Sequence, residues 1–472
     1  MVMRRLFVPL VCVLGLGLNG CRLAAQLAPT VLPAAQRPAS LPQDPQIPVY
    51  FNHNTAQGAN YTDPYRQIER PGDDLEGVIL QEIEQAQQSI EVAVQELRLP
   101  RIAQALAAKQ AAGVRVRVVL ENTYNQPWPE SDRSGPGRSN TDAEIAALAD
   151  QDGDGQVTAA ELAQNDAILI LRNARVPLID DTADGSKGSG LMHHKFVVID
   201  GATVVTGSAN FTPSGTHGDL TMAVSRGNVN HLLVIRDRAL SQLFQQEFNL
   251  LWGDGPGGRP DSRFGLQKPM RPAQTFTIGA SRVTVHFSPT SPSEPWEMSS
   301  NGLIARTLSA ANQSVDLALF VFSEQAIANT LATRHQQGTQ VRVLIDPSFA
   351  FRDFSEGLDL LGVTLLKQNC QAEPNNQPWA APITTVGVPA LPPGDKLHHK
   401  FGVMDRRVVI TGSHNWSAAA NHDNDETVLI IDNPAIAAHF QQEFDHLFKG
   451  AQLGITSAVE TKIQEAAQAC GG

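Results

Sequence analysis

One pattern occurs twice in this chain without a gap: MHHKFVVIDGATVVTGSAN, from Met192 to Asn210, and LHHKFGVMDRRVVITGSHN, from Leu397 to Asn415. His193, Lys195, Asp200, Gly207, Ser208 and Asn210 in the first copy match His398, Lys400, Asp405, Gly412, Ser413 and Asn415 in the second. Such a repeat marks an internal duplication rather than one long domain. In a strand, residues i and i+2 share a face. His193 and Lys195 therefore face together, and His194 faces the other way. Two such strands brought together present two imidazoles, two ammonium groups and two carboxamides to one pocket. That set suits a phosphodiester.

The duplication reaches beyond the motifs. Apolar spacing predicts a helix over 73–88, a strand over 89–94, a helix over 101–112 stopped by Gly113, and a strand over 114–120. The same order returns as a helix over 301–311, a strand over 314–322, a helix over 324–337 stopped by Gly338, and a strand over 340–345. FQQEF also appears twice, at Phe244 to Phe248 and Phe440 to Phe444. Alternating strands and helices predict an α/β fold with largely parallel or mixed sheets. The boundaries read as a first lobe over 49–253, a Gly- and Pro-rich linker over 254–272, a second lobe over 273–449 and a tail over 450–472.

The N-terminus reads as an export signal over 1–20: Arg4 and Arg5, then a short apolar run from Leu6 to Leu18. Leu18-Asn19-Gly20-Cys21 resembles a bacterial lipobox, with Cys21 as the lipidated residue; cleavage elsewhere is the alternative. Residues 21–48, rich in Ala, Pro and Gln, read as a flexible tether. The expected location is periplasmic or cell-surface, lipid-anchored to a bacterial membrane. Cys370 and Cys470 are left either as a disulfide or as two free thiols.

The two halves differ by an insertion of about residues 140–166 in the first lobe. It carries DQDGDGQVTAAE, Asp150 to Glu161. This string matches an EF-hand loop. Asp150, Asp152 and Asp154 stand at positions 1, 3 and 5, and Gly155 at the turn. Gln156 supplies a backbone carbonyl, Thr158 stands at position 9 and Glu161 is the bidentate ligand at 12. Val157 is the apolar residue that packs the loop inward. The expected cofactor is Ca2+ with a structural or regulatory role, and the phosphodiester chemistry needs no metal.

In the paired motif, Lys195 and Lys400 offset phosphate charge, Asn210 and Asn415 donate, and Ser208 and Ser413 add substrate contacts. One neutral imidazole attacks phosphorus; the other protonates the leaving alkoxide and then activates water. Asp200 and Asp405 belong to the motif but lie too far along the strand to stay in the pocket, and read as hydrogen-bond anchors. These residues resemble the phospholipase D superfamily, over about residues 49–449. The resemblance implies two homologous α/β lobes about a pseudo-twofold axis, with the site between them and a phosphohistidine intermediate. Glu426 has Asn230 as its counterpart, so one copy alone has a carboxylate. In the family this acid commonly reaches the other copy's histidine. That makes His193 the nucleophile and His398 the acid, with the reverse assignment as the alternative. His414 and His422 flank the motif as candidate substrate contacts.

The resemblance implies hydrolysis of phospholipid headgroups, with a membrane surface as partner and a monomer sufficient for both half-sites. The alternatives are a nuclease, a cardiolipin-synthase-like transphosphatidylase, and an inactive calcium-binding lipoprotein. The net charge of −12 disfavours the nuclease, because nucleic-acid affinity rests on neutralised phosphates.

Overall fold

The computed structural model describes residues 36–130, 138–186 and 190–471. The export signal, Cys21 and the tether up to residue 35 lie outside the described residues. Among the described residues, each half of the chain builds one mixed sheet. The first runs in the order Val49–Phe51, His231–Arg236, Thr203–Gly207, Lys195–Ile199, Ser89–Val94, Arg115–Leu120, Leu178–Asp180. In the second, Ser281–Phe287, Thr427–Asp432, Val408–Gly412, Lys400–Met404, Ser314–Leu319 and Gln340–Ile345 repeat that order, with extra strands outside them. In both, the helix-linked strands pair parallel and the motif strand pairs antiparallel to the first of them. A parallel pair needs a crossover helix, and Pro100–Ala111 and Gln325–Gln336 supply it.

The motif glycines have a steric reason. A Cβ on Gly207 would lie 2.1 Å from the His231 carbonyl oxygen, and one on Gly412 2.1 Å from that of Thr427. Both obstacles are backbone of the neighbouring strand. Gly412 also has φ +132°, which L side chains rarely adopt. Gly412→Ala is expected to destabilise the protein by about 2–3 kcal/mol, read as a lower urea midpoint. An unchanged midpoint would contradict this packing.

The two FQQEF strings lie on the helices Arg238–Trp252 and Pro434–Lys449. Phe196 packs edge-on against Phe244 at 5.2 Å, and Phe401 against Phe440 at 5.1 Å. These rings belong to one buried cluster that draws residues from both halves. A fully buried Phe contributes about 1.5–3 kcal/mol, so this cluster is a main bond between the lobes.

Two expectations change. The tether is docked, not flexible, along its last residues: Ile47 is fully buried, and Gln43 brackets Val49 through both its backbone groups. The interlobe linker is also packed, because Phe264 is buried and Lys268 pairs with Glu247 and Asp425. The strand predicted over 314–322 breaks after Leu319, and Phe322–Ser323 pairs instead with Trp416–Ser417. Cys370 and Cys470 are disulfide-bonded with Cα atoms 5.4 Å apart, which ties the C-terminal helix Ser457–Ala469 to the second half.

Candidate active site

Each motif is stitched to the opposite lobe through its backbone. His193 N donates to Asp425 O at 3.0 Å, and His398 N donates to Val229 O at 3.1 Å. The residue after each acceptor is the one that holds the imidazole. Glu426 Oε2 lies 2.7 Å from His193 Nδ1, and Asn230 Oδ1 lies 3.0 Å from His398 Nδ1. Asn230 Oδ1 also accepts from Ser208 Oγ at 2.7 Å, while its amide nitrogen donates to Gly215 O. The carboxamide is thus fixed as an acceptor, and His398 carries its proton on Nδ1.

Lys195 and Lys400 are each 1% exposed. Each ammonium donates to the carbonyl of the histidine two residues earlier, at 2.8 Å. Burial lowers Lys195 to about 7 against the pull of Glu426 and Glu96, and burial together with Lys195 lowers Lys400 against Glu426 and Asp346. Burial first, and then the two lysines, hold His193 and His398 well below the ordinary imidazole range. Glu426 is buried with its carboxyl raised by desolvation, opposed by His414, Lys195 and hydrogen bonds from Ser413 and Asn424. A site with two buried lysines, the buried His193, the half-buried His398 and Glu426 favours an anion.

The assignments of Ser208 and Ser413 shift. Ser208 and Ser413 are fully buried, not substrate-facing: Ser208 holds Asn230, and Ser413 bonds Glu426 and accepts from Thr427 N. They orient the groups that orient the histidines. Asp200 accepts from the backbone N–H of Gln87, Gln88 and Ser89, and Asp405 from Asn312, Gln313 and Ser314. Burial opposes it, but these donors hold both carboxyls below the usual range. Both sit in the turn past the motif strand, away from the reacting groups. His414 is 2% exposed, with Nε2 2.9 Å from Asn301 Oδ1, and His422 Nδ1 lies 2.8 Å from Thr290 O. The carboxamides of Asn210 and Asn415 each keep a buried oxygen without a partner.

Sequence reasoning missed Gln95, whose Oε1 accepts from Lys195 Nζ at 3.2 Å and Asn210 Nδ2 at 3.3 Å. It also missed what the second histidine of each pair does. His194 Nε2 meets Glu247 and His399 Nε2 meets Glu443, each at 3.2 Å. The glutamate repeated within FQQEF was the signal for that contact.

The acidic loop from Asp150 to Thr158 lies apart, between the helices Arg138–Ala149 and Ala159–Asn165. Ligand oxygens of Asp150, Asp152 and Asp154 lie within 4.8 Å of one another. Gly155 turns at φ +79° and donates to Asp150 Oδ2 at 3.0 Å. Val157 and Leu162 pack on a small core of Trp128, Ile145 and Leu148. Glu161 caps its helix, with Oε2 2.8 Å from Thr158 N and Oε1 2.9 Å from Gln151 N. The chemistry of this all-oxygen set about a glycine turn fits a hard divalent cation.

Three comparisons bear on this geometry. The family model described as "Cardiolipin synthase, PLD-like domain" matches residues 79–252 and 304–448. A mitochondrial cardiolipin hydrolase from Homo sapiens is 32% identical over 146 residues, 31% of this chain and 50% of that protein. The chain thus spans half the length of that relative. A phospholipase D from Rickettsia felis is 28% identical over 141 residues, 30% of this chain and 60% of that protein. The crystal structure of phosphatidylserine synthase from Haemophilus influenzae aligns with a TM-score of 0.53 at 11% identity, covering 92% of this chain and 95% of that one. This last likeness concerns the fold.

Proposed function

The chain belongs to the cardiolipin synthase, PLD-like domain family, and on that premise we propose that it is a phospholipase D-type hydrolase that releases phosphatidic acid and an alcohol from a phospholipid. The observation that carries the chemistry is the crossed pair: Glu426 on His193 and Asn230 on His398. Glu426 holds His193 Nδ1, which leaves Nε2 to attack phosphorus. An N–P bond forms, the P–O bond to the alcohol breaks with its electron pair, and His398 supplies the proton. Water then attacks phosphorus, gives its proton back to His398, and the N–P bond breaks to restore His193. A carboxylate stabilises the imidazolium character that His193 gains on attack; a carboxamide cannot do so.

In the resting site His398 is held neutral by burial and by both lysines. A bound phosphodiester anion offsets the lysines and lets His398 take up a proton. The anion is therefore part of what arms the acid. Lipid as substrate rests on the names of the relatives and on the net charge of −12, which opposes a polyanion. Export and lipid anchoring at Cys21 belong to the same proposal. Among the described residues no helix is long and apolar enough to cross a membrane.

The test is to offer the purified protein cardiolipin, phosphatidylcholine, phosphatidylethanolamine and single-stranded DNA. Alcohol release that disappears in His193→Ala supports the reading; DNA cleavage without lipid hydrolysis overturns it. The pH profile adds a second check. Lys195 is lowered to about 7 by burial, so its cation is lost as pH rises through that value. The alkaline limb of kcat/KM is expected near pH 7. Glu96 raises Lys195, so Glu96→Gln should move that limb to lower pH. A limb that stays put would remove Lys195 as the titrating group.

Calcium is proposed as a structural cofactor at Asp150, Asp152, Asp154, Gln156, Thr158 and Glu161. Calorimetry is expected to give Kd on the order of 10⁻⁴–10⁻³ M, weakened by about tenfold or more in Glu161→Gln. Equal calcium binding by the variant would refute the ligand set.

A further inference from the structure

The two half-sites share backbone geometry but not side-chain chemistry. Gln95 N donates to His194 O at 3.1 Å, and Phe320 N donates to His399 O at 2.8 Å. Gln95 and Phe320 are therefore equivalent positions beside the two motifs. In the first lobe Gln95 accepts from Lys195 and Asn210, and Glu96 follows it. In the second lobe the same two places hold Phe320 and Val321. The Phe320 ring lies 4.9 Å from the His398 ring and 4.7 Å from Phe349, and Phe354 stands 6.5 Å beyond Phe349. All three phenylalanines are partly exposed. The duplicated site is thus polar on the His193 side and aromatic on the His398 side.

In-line displacement puts the leaving oxygen opposite the attacking atom. With His193 attacking, the alcohol departs on the His398 side, along the aromatic wall. An aromatic face can hold a quaternary ammonium. Here Lys400 Nζ already lies 4.9 Å from the Phe320 centroid and Lys396 Nζ 6.0 Å from it. A third cation there meets two like charges. We propose that Phe320, Phe349 and Phe354 form the leaving-alcohol subsite, and that it takes an alcohol bearing hydrocarbon rather than a cationic headgroup such as choline or ethanolamine. This rests on the phospholipase reading and its assignment of His193 as nucleophile.

The experiment compares kcat/KM for cardiolipin, phosphatidylglycerol and phosphatidylcholine in the same neutral detergent micelles. Cardiolipin loses an alcohol that carries acyl chains, phosphatidylglycerol loses bare glycerol, and phosphatidylcholine loses choline. The expected order is cardiolipin, phosphatidylglycerol, phosphatidylcholine, with roughly tenfold or more between first and last. Phe320→Gln, which installs the first-lobe residue, and Phe349→Ser should each cut the cardiolipin-to-phosphatidylcholine ratio by about tenfold. A ratio taken on one preparation does not depend on how much of it folded. Phosphohistidine trapped on His193 separates the two levels of failure. Labelling with phosphatidylcholine preferred, or with the ratio unmoved in both variants, overturns the subsite alone. Absence of labelling from every diester overturns the phospholipase reading and the subsite with it. A single-stranded oligonucleotide cleaved faster than any lipid, and slowed in both variants, would give the wall to a base instead.

Discussion

His193→Ala is expected to lower kcat for phospholipid hydrolysis by roughly 10⁴-fold or more, because it removes the atom that bonds to phosphorus. The loss should fall on kcat more than on KM. Lys195 and Lys400 still offset the phosphate charge, and each is held by its backbone carbonyl rather than by the imidazole ring. Acid-labile label from a radioactive diester should vanish with the variant. Activity within tenfold of the parent would remove His193 from the reaction. Label that persists in His193→Ala and sits on His398 would reverse the two roles.

His398→Ala is expected to give a different failure. With an alkyl leaving group its loss should cost about 10²–10⁴-fold, as for other general acids. With an aryl leaving group, which needs no proton to depart, the first step should survive. Water activation should not, so phosphohistidine should accumulate on His193 and be visible by mass spectrometry. Glu426→Gln probes the same asymmetry from the other side. It keeps a hydrogen-bond acceptor on His193 Nδ1 but removes the charge, making that half-site resemble the Asn230–His398 pair. A loss of about 10²–10³-fold is expected, mostly in kcat. A neutral outcome would mean that the charge of Glu426 has no part in the choice of nucleophile.

How much was legible beforehand differs from residue to residue. The duplicated α/β plan followed from periodicity and repetition, both local properties of the string. The departure of Asp200 and Asp405 from the pocket followed from strand geometry alone. Ser208 and Ser413 were misread, because a hydroxyl next to a motif looks the same whether it faces substrate or a buried Asn230. Gln95 carried no signal, since its partners Lys195 and Asn210 are far along the chain. The docking of the tether's end and of the linker was hidden by composition: Pro and Gly mark where helices and strands stop, not where the backbone goes next. Ile47 and Lys268 decide that through tertiary contacts.

By itself, the sequence determined that two motifs exist, that each sets a histidine two residues before a lysine, and that a carboxylate stands in one copy opposite a carboxamide in the other. Those facts depend only on residue identity and order along the chain. Tertiary structure alone decided which imidazole meets which partner. Glu426 reaches His193 because Asp425 and His193 exchange a backbone bond across the lobes, and Asn230 reaches His398 through Val229 in the same way. It also decided that one wall of the site is polar and the other aromatic, since only the folded chain brings Gln95 onto Lys195 and Asn210 and the Phe320 ring beside His398. The physical reason is range. Periodicity acts over a few residues, whereas the His193–Glu426 contact spans 233 positions and exists only when two packed cores bring its ends together.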